Sequence, residues 1–105
     1  MTFREKKLGV LLSTRPETQN FRHGLRLAEA ALNAQVTVYL YCIDDAVLGV
    51  SDPQLQALRT RGLHLYACAH GARRRNLPLD GQATYAGLTI VSDLMGGTDR
   101  FVSFN

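Results

Sequence analysis

The sequence is poor in cysteine and contains no long apolar run. Its two cysteines, Cys42 and Cys68, are too few for a disulfide framework, so we expect free thiols in a reducing compartment. No apolar run approaches the length of a membrane span, and the apolar stretch behind the charged start is too short for a signal peptide. These absences predict a cytoplasmic protein with no membrane partner.

The chain also lacks a large block of like charge. The formal net charge is +3, and the longest basic run is Arg73-Arg74-Arg75, which is too small and too local for a nucleic-acid groove. No glycine-rich phosphate fingerprint follows the first predicted strand, and the sequence shows no Ser-His-Asp arrangement and no catalytic pair of carboxylates. We therefore expect no nucleic-acid partner and no cofactor.

What the sequence does contain is a regular alternation of strand and helix patterns. Apolar or β-branched runs predict strands, and apolar residues at helical spacing predict helices. The predicted strands cover residues 8–13, 36–42, 63–68, 82–86 and 100–104, and the predicted helices cover residues 18–33, 51–62, 72–76 and 88–95. The alternation predicts one α/β domain over residues 1–105, with helices on both faces of an open parallel sheet of about five strands.

The expected order of these strands separates the two cysteines. We expect the first strand to lie between the second and the third, which end at Cys42 and Cys68. Neighbouring strands are about 4.8 Å apart, so the two cysteines should lie roughly 10 Å from each other. A disulfide needs a Cα separation below about 7 Å. The two thiols are therefore predicted to act independently.

The strongest candidate site lies in residues 63–77, where a strand ends at Cys68 and a basic segment follows. Ligands of open α/β sheets bind beyond the carboxyl ends of the strands. A thiol held near helix amides and arginines can lose its proton near neutral pH, and the thiolate is the reactive species. Cys68 is therefore the candidate nucleophile, and His70, Arg74 and Arg75 are the candidate binding residues.

Each of these residues also has a purely structural interpretation. Cys68 can be a half-buried residue at a strand end, while Arg74 and Arg75 can form a solvated helix face or a subunit contact. His70 can tune the thiol or move a proton, or it can be a loop histidine without a role. Cys42 is expected to pack as a small apolar residue. Nothing places the two cysteines and the nearby histidines in one coordination sphere, so no metal site is predicted.

Several segments of the chain match one known family. They are the first predicted helix at residues 21–32, the second strand at residues 36–41 and the closing segment at residues 87–104. The most specific match is Cys68, a small-residue turn and then Arg74-Arg75-Asn76. Together they resemble the DsrE-like (TusD/DsrE/DsrF-type) family of small sulfur-relay proteins. Two positions depart from the family: Asn76 stands where Gly is usual, and residues 42–45 replace a turn of the Gly-Asp-Gly kind.

The resemblance implies a fold, an assembly and an activity. It implies a flavodoxin-like sheet and a homo-oligomer, trimer or hexamer, or a hetero-oligomer with related subunits. The aromatic residues Tyr39, Tyr41, Phe101 and Phe104 are more aromatic surface than a small monomer is expected to bury. In characterised members the cysteine in the Cys68 position accepts sulfur as a persulfide and passes it to the next protein. The expected partners are therefore sulfur donor and acceptor proteins.

A second interpretation of the same resemblance needs no sulfur transfer. The chain can be a non-catalytic oligomeric subunit that binds a small anion at the strand ends or scaffolds partner proteins. The presence of Cys68 favours the sulfur-relay interpretation, because a scaffold has no need of a thiol there.

Overall fold

Strands and helices alternate along the chain in the order that was predicted. The computed structural model describes residues 6–105. The strands are β1 (Lys7–Leu12), β2 (Thr37–Cys42), β3 (His64–Cys68), β4 (Thr84–Ala86) and β5 (Arg100–Phe104). The helices are α1 (Gln19–Asn33), α2 (Pro53–Thr60), α3 (Ala69–Arg74) and α4 (Thr89–Gly97), with a 3-10 helix over Asp44–Gly49. The five strands form one all-parallel sheet, so the predicted α/β class is confirmed.

The order of the strands differs from the expected one. It is β4-β3-β2-β1-β5, so β1 lies between β2 and β5 rather than between β2 and β3. Cys42 is paired in register with Ala67, the residue before Cys68. The predicted separation of roughly 10 Å is therefore wrong, because the two cysteines end adjacent strands. Strand periodicity identifies which segments are strands, but not on which side of β1 each crossover places the next strand.

Side-chain alternation assigns the two cysteines to opposite faces of the sheet. Successive residues of a strand point to opposite faces, so Cys42 shares a face with Ala67, while Cys68 shares the other with Tyr41 and Tyr66. We call these the Cys42 face and the Cys68 face. A disulfide requires Cβ vectors that converge, and both cysteines are free thiols.

The Cys42 face is covered by the long amphipathic helix α1. Thr18 caps this helix by accepting a hydrogen bond from the Phe21 N–H, and Phe21, Leu25 and Ala28 are fully buried at helical spacing. Gly24 lies so close to the sheet that a β-carbon there would collide with Leu12. A β-carbon at this position must therefore displace α1 or the Leu12 side chain.

Helix α2 packs beside α1, and an ion pair joins the two. Asp52 caps α2 by accepting hydrogen bonds from the N–H groups of Gln54 and Leu55 at 3.0 and 3.2 Å, with Pro53 as the first helical residue. The same carboxylate pairs with Arg22 of α1 at 2.5 Å. Arg22 lowers the pKa of Asp52, against the opposing effect of burial. The start of α2 is thus fixed to the layer that covers the Cys42 face.

The Cys68 face is covered only in part. Parallel crossovers are right-handed, and the reversal of direction after β4 places α4 on this face, where it packs against β1 and β5. Over β2 and β3 the Tyr39 and His64 rings stack with centroids 4.7 Å apart, and His64 is exposed. No helix among residues 6–105 has the length and apolar character needed to cross a membrane.

Candidate functional site

Cys68 is both the last residue of β3 and the N-cap of α3. Its sulfur accepts a hydrogen bond from the Gly71 N–H at 3.3 Å. The sequence placed a break at Ala69-His70-Gly71 and the helix at residues 72–76, whereas α3 begins directly after Cys68. That correction matters for the chemistry, because the first free amides of the helix lie next to the thiol.

The structure buries the Cys68 thiol, whereas sulfur transfer needs a thiol that a partner can reach. Cys68 is 5 % exposed. Tyr41, which was expected to add aromatic surface, is fully buried. Burial raises the pKa of its hydroxyl, and the contact with Cys68 raises it further. The sequence had no signal for this contact, because it depends on the register between β2 and β3. The single chain therefore does not present Cys68 as an approachable thiol.

Arg75, one of the predicted binding residues, is held by two polar contacts. It forms an ion pair with Asp45 at 2.9 Å and donates a hydrogen bond to the Gly71 carbonyl at 3.2 Å. Gly71 therefore links Arg75 to Cys68, since its N–H donates to the sulfur and its carbonyl accepts from the guanidinium. Asp45 is a site residue that the sequence did not identify; its position in the loop after β2 was the available signal.

The structure places the other two predicted binding residues on the exposed surface of α3. His70 lies in the first turn of the helix rather than in a loop, and Arg74 lies in its last turn. Both side chains are exposed. Neither side chain makes a hydrogen bond to Cys68 or Gly71 in the described part of the chain.

Cys42 has none of the polar surroundings of Cys68. It is fully buried, and burial raises the pKa of its thiol to about 12. Its neighbours in register are Leu12 of β1 and Ala67 of β3. Within residues 6–105, no group of histidine, cysteine and carboxylate side chains is arranged to hold a metal ion.

Two cavities with basic residues in their walls lie away from Cys68. One of about 430 Å³ is at the start of α1, beside Arg22 and Arg26. Another, of about 350 Å³, is at the amino end of β1, beside Lys6, Lys7 and Arg100. Their walls supply cationic groups for an anion but include no cysteine.

The arrangement of a cysteine at the end of the third parallel strand agrees with a family match over nearly the whole chain. The model of the DsrE/DsrF-like family matches residues 6–104. The chain belongs to the DsrE/DsrF-like family. No curated protein matches the sequence of this DsrE/DsrF-like chain.

Two solved structures show that the fold is shared. The ychN protein from E. coli superimposes with a TM-score of 0.78 at 18 % identity, covering 99 % of this chain and 100 % of that one. A conserved protein of unknown function from Bacteroides thetaiotaomicron, BT1422, superimposes with a TM-score of 0.76 at 16 % identity, covering 98 % of each chain. These likenesses establish the fold of the DsrE/DsrF-like chain.

The two departures from the DsrE-like pattern both occur where the backbone is left-handed. Asn76, which follows α3, has a φ of 57°, and Asp44, in the loop after β2, has a φ of 53°. Asn and Asp tolerate this conformation better than other residues with a β-carbon. Asn76 therefore keeps the turn that a glycine would make, as expected for a mild replacement.

Proposed function

We propose that this DsrE/DsrF-like protein accepts sulfur as a persulfide on Cys68 and passes it to a second protein in the cytoplasm. The observation that carries the proposal is the position of the Cys68 sulfur, at the carboxyl edge of the parallel sheet and bonded to the Gly71 N–H in the first turn of α3. An N–H donor favours a sulfur that carries negative charge, both before and after transfer.

The transfer needs no oxidant. The Cys68 thiolate attacks the outer sulfur of a donor protein's persulfide, forming a new S–S bond as the S–S bond of the donor breaks. The donor cysteine leaves as a thiolate, and Cys68 carries the outer sulfur. Passing the sulfur on repeats the same exchange, with the acceptor thiolate as the attacking group and Cys68 as the leaving thiolate.

Burial of Cys68 sets a condition on this exchange. With 5 % of the residue exposed, a partner cysteine reaches the sulfur only if the surrounding segments move. The neighbouring strand β4 has three residues and lies at the edge of the sheet, so it is the least strongly held wall of the site. Once sulfur is bound, the outer atom lies about 2 Å beyond Sγ and is easier to reach.

The same burial favours a second candidate function. A DsrE-like subunit that scaffolds partners or binds a small anion has no need to expose Cys68. In that case the thiol serves as the cap of α3, and the cationic cavities beside Arg22 and Lys6 are the candidate anion sites.

Intact mass distinguishes the two functions. We expect the wild-type protein, incubated with a persulfide donor, to gain the mass of one sulfur atom that reductant removes. Cys68→Ser should abolish the gain and Cys42→Ser should preserve it. Absence of added sulfur on a folded wild-type protein, or sulfur on Cys42, contradicts the carrier function and favours the scaffold.

We further propose that the chain assembles into a trimer or hexamer, alone or with related subunits. Leu88 and Met95 are 58 % and 59 % exposed, and their spacing of seven residues puts them on one face of a helix. Grouped apolar side chains on a surface are typical of sites that bind another protein. Light scattering should give a mass of at least three chains at tens of micromolar protein. A monomer under these conditions contradicts the proposal for the chain alone.

A further inference from the structure

The Tyr41 side chain crosses the sheet at the level of Cys68. It starts on β2, and its hydroxyl bonds to the carbonyls of Ala86 and Gly87 at 3.2 and 3.3 Å. Ala86 belongs to β4, and β3 lies between β2 and β4. The residue of β3 that pairs in register with Ala86 is Cys68. The phenol ring therefore spans β3 on the face that carries the Cys68 side chain.

The hydroxyl of Tyr41 has one proton and several acceptors to choose from. With a neutral thiol beside it, the proton is donated to the carbonyl of Ala86 or Gly87. An ionised sulfur is a stronger acceptor than a neutral carbonyl, because a hydrogen bond to a charged group is roughly twice as strong. Ionisation of Cys68 therefore draws the proton toward the sulfur.

We propose that Tyr41 is a positioning residue for Cys68, whose hydroxyl donates a hydrogen bond to the sulfur whenever that sulfur is anionic. With the Gly71 N–H, Tyr41 gives the sulfur two donors from two different elements, β2 and α3. For the thiolate the proposal stands on this geometry alone, and for the persulfide it rests on the proposed sulfur-carrier function.

The ionisation state of Tyr41 supports its role as a donor. Burial raises the pKa of the Tyr41 hydroxyl, and the neighbouring Cys68 raises it further. The phenol thus keeps its proton throughout the range in which cysteines ionise. The other titratable or charged groups on the elements around the sulfur are these: Tyr39 and Cys42 on β2, His64 and Tyr66 on β3, Tyr85 on β4, His70, Arg73 and Arg74 on α3, Asp44 on the 3-10 helix, and the Asp45–Arg75 ion pair.

Tyr41→Phe tests the proposal because it keeps the ring and removes only the donor. The readout is the rate of iodoacetamide alkylation at Cys68, followed by peptide mass from pH 5 to pH 10. Dividing the rate at pH 7 by the plateau rate at high pH removes any change in access to the thiol. We expect this ratio to fall about tenfold, because hydrogen bonds to charged groups are worth that much or more.

Tyr39→Phe is the matched control. Tyr39 lies on the same strand and the same face, two residues before Tyr41, and its ring stacks on His64 away from the strand end. This variant should leave the ratio unchanged. A folded Tyr41→Phe protein with the wild-type ratio, or with a change in the plateau alone, overturns the proposal by showing that Tyr41 only covers the thiol.

A measurement on the wild-type protein decides the matter even if Tyr41→Phe fails to fold. The ¹³Cζ resonance of Tyr41 should move over the pH range in which Cys68 becomes reactive, and Cys68→Ser should abolish the movement. A resonance that stays still, or moves equally in Cys68→Ser, overturns the proposal. Because neither readout uses a sulfur donor, failure of sulfur uptake alone contradicts the carrier function and leaves the test of Tyr41 valid.

Discussion

The two cysteines occupy nearly equivalent positions and have opposite surroundings. Each ends a parallel strand, the two strands are adjacent, and the residue paired with Cys42 is the one before Cys68. Cys42 points into the layer beneath α1, where burial raises its thiol pKa to about 12. Cys68 points to the other face, where its sulfur accepts a hydrogen bond from the Gly71 amide and shares the face with Tyr41. A shift of one residue in register separates an inert thiol from a candidate nucleophile.

We expect the largest difference between Cys42 and Cys68 in their rates of alkylation. We expect one fast phase of alkylation near neutral pH in the wild-type protein, lost completely in Cys68→Ser and retained in Cys42→Ser. The reason is that only Cys68 has hydrogen-bond donors for a charged sulfur, while Cys42 has Leu12 and Ala67 beside it. If the fast phase follows Cys42, or an intramolecular disulfide forms readily, the assignment of the site is wrong.

The burial of Cys42 should affect how the free energy of unfolding depends on pH. The pKa of Cys42 is about 12 in the folded chain and about 8.5 in an unfolded one. Below about pH 8.5 the Cys42 thiol is protonated in both states, and its contribution to the free energy of unfolding is fully present. Between about 8.5 and 12 only the unfolded chain ionises, so the free energy of unfolding falls by about 1.4 kcal/mol per pH unit.

Cys42→Ala is the control that isolates this slope. Urea unfolding from pH 7 to pH 10.5 should show the wild type losing stability faster than the variant above about pH 8.5, although the variant is less stable at pH 7 because of the cavity it leaves. Parallel curves for the two proteins would show that Cys42 ionises as readily in the folded state as in the unfolded one.

We expect a smaller difference between substitutions of Arg74 and Arg75, the two arginines near Cys68. Arg75→Ala removes the bonds to Asp45 and Gly71, and partly exposed ion pairs contribute about 0.2–1 kcal/mol. We expect a lower melting temperature by a few degrees and a slower alkylation of Cys68. Arg74→Ala should change neither, because Arg74 is exposed. The double variant should weaken binding of a partner protein more than it weakens folding.

Equal changes in melting temperature and alkylation rate for Arg74→Ala and Arg75→Ala would contradict this prediction. A loss as large as that of a core mutant in Arg74→Ala would mean that Arg74 is buried in an assembly, since exposed substitutions usually stay within about 0.5 kcal/mol.

The sequence predicted the elements well because their signals are local. The apolar run at residues 8–13, the helical spacing of Phe21, Leu25 and Ala28, and the alternation at residues 100–104 each identify an element without reference to the rest of the chain. The family resemblance extended those elements to a sheet and a candidate cysteine. The sheet and the family were confirmed, whereas the assignment of Cys68 as the reactive residue stays a prediction.

The strand order and the surroundings of Cys68 were out of reach because their causes are not local. Whether β3 lies beside β1 or beside β2 depends on the direction of a crossover, which no residue of either strand encodes. The contact between Tyr41 and Cys68 then follows from the register of β2 against β3 and of β3 against β4. Without those pairings, Tyr41 is one more aromatic residue in a strand.

The position of β5 has a consequence for the order in which the fold forms. The β1–β2 pairing closes after one helix, whereas β5 pairs with β1 across most of the chain, and the Lys7 N–H bonds to the Asp99 carboxylate at 2.7 Å over a separation of 92 residues. Contacts of long sequence separation form slowly because the intervening chain must first be ordered. Until β5 docks, β1 has a free edge that can pair with a second chain. Docking of β5, the last strand to be synthesised, therefore closes the edge of β1 against pairing with a second chain.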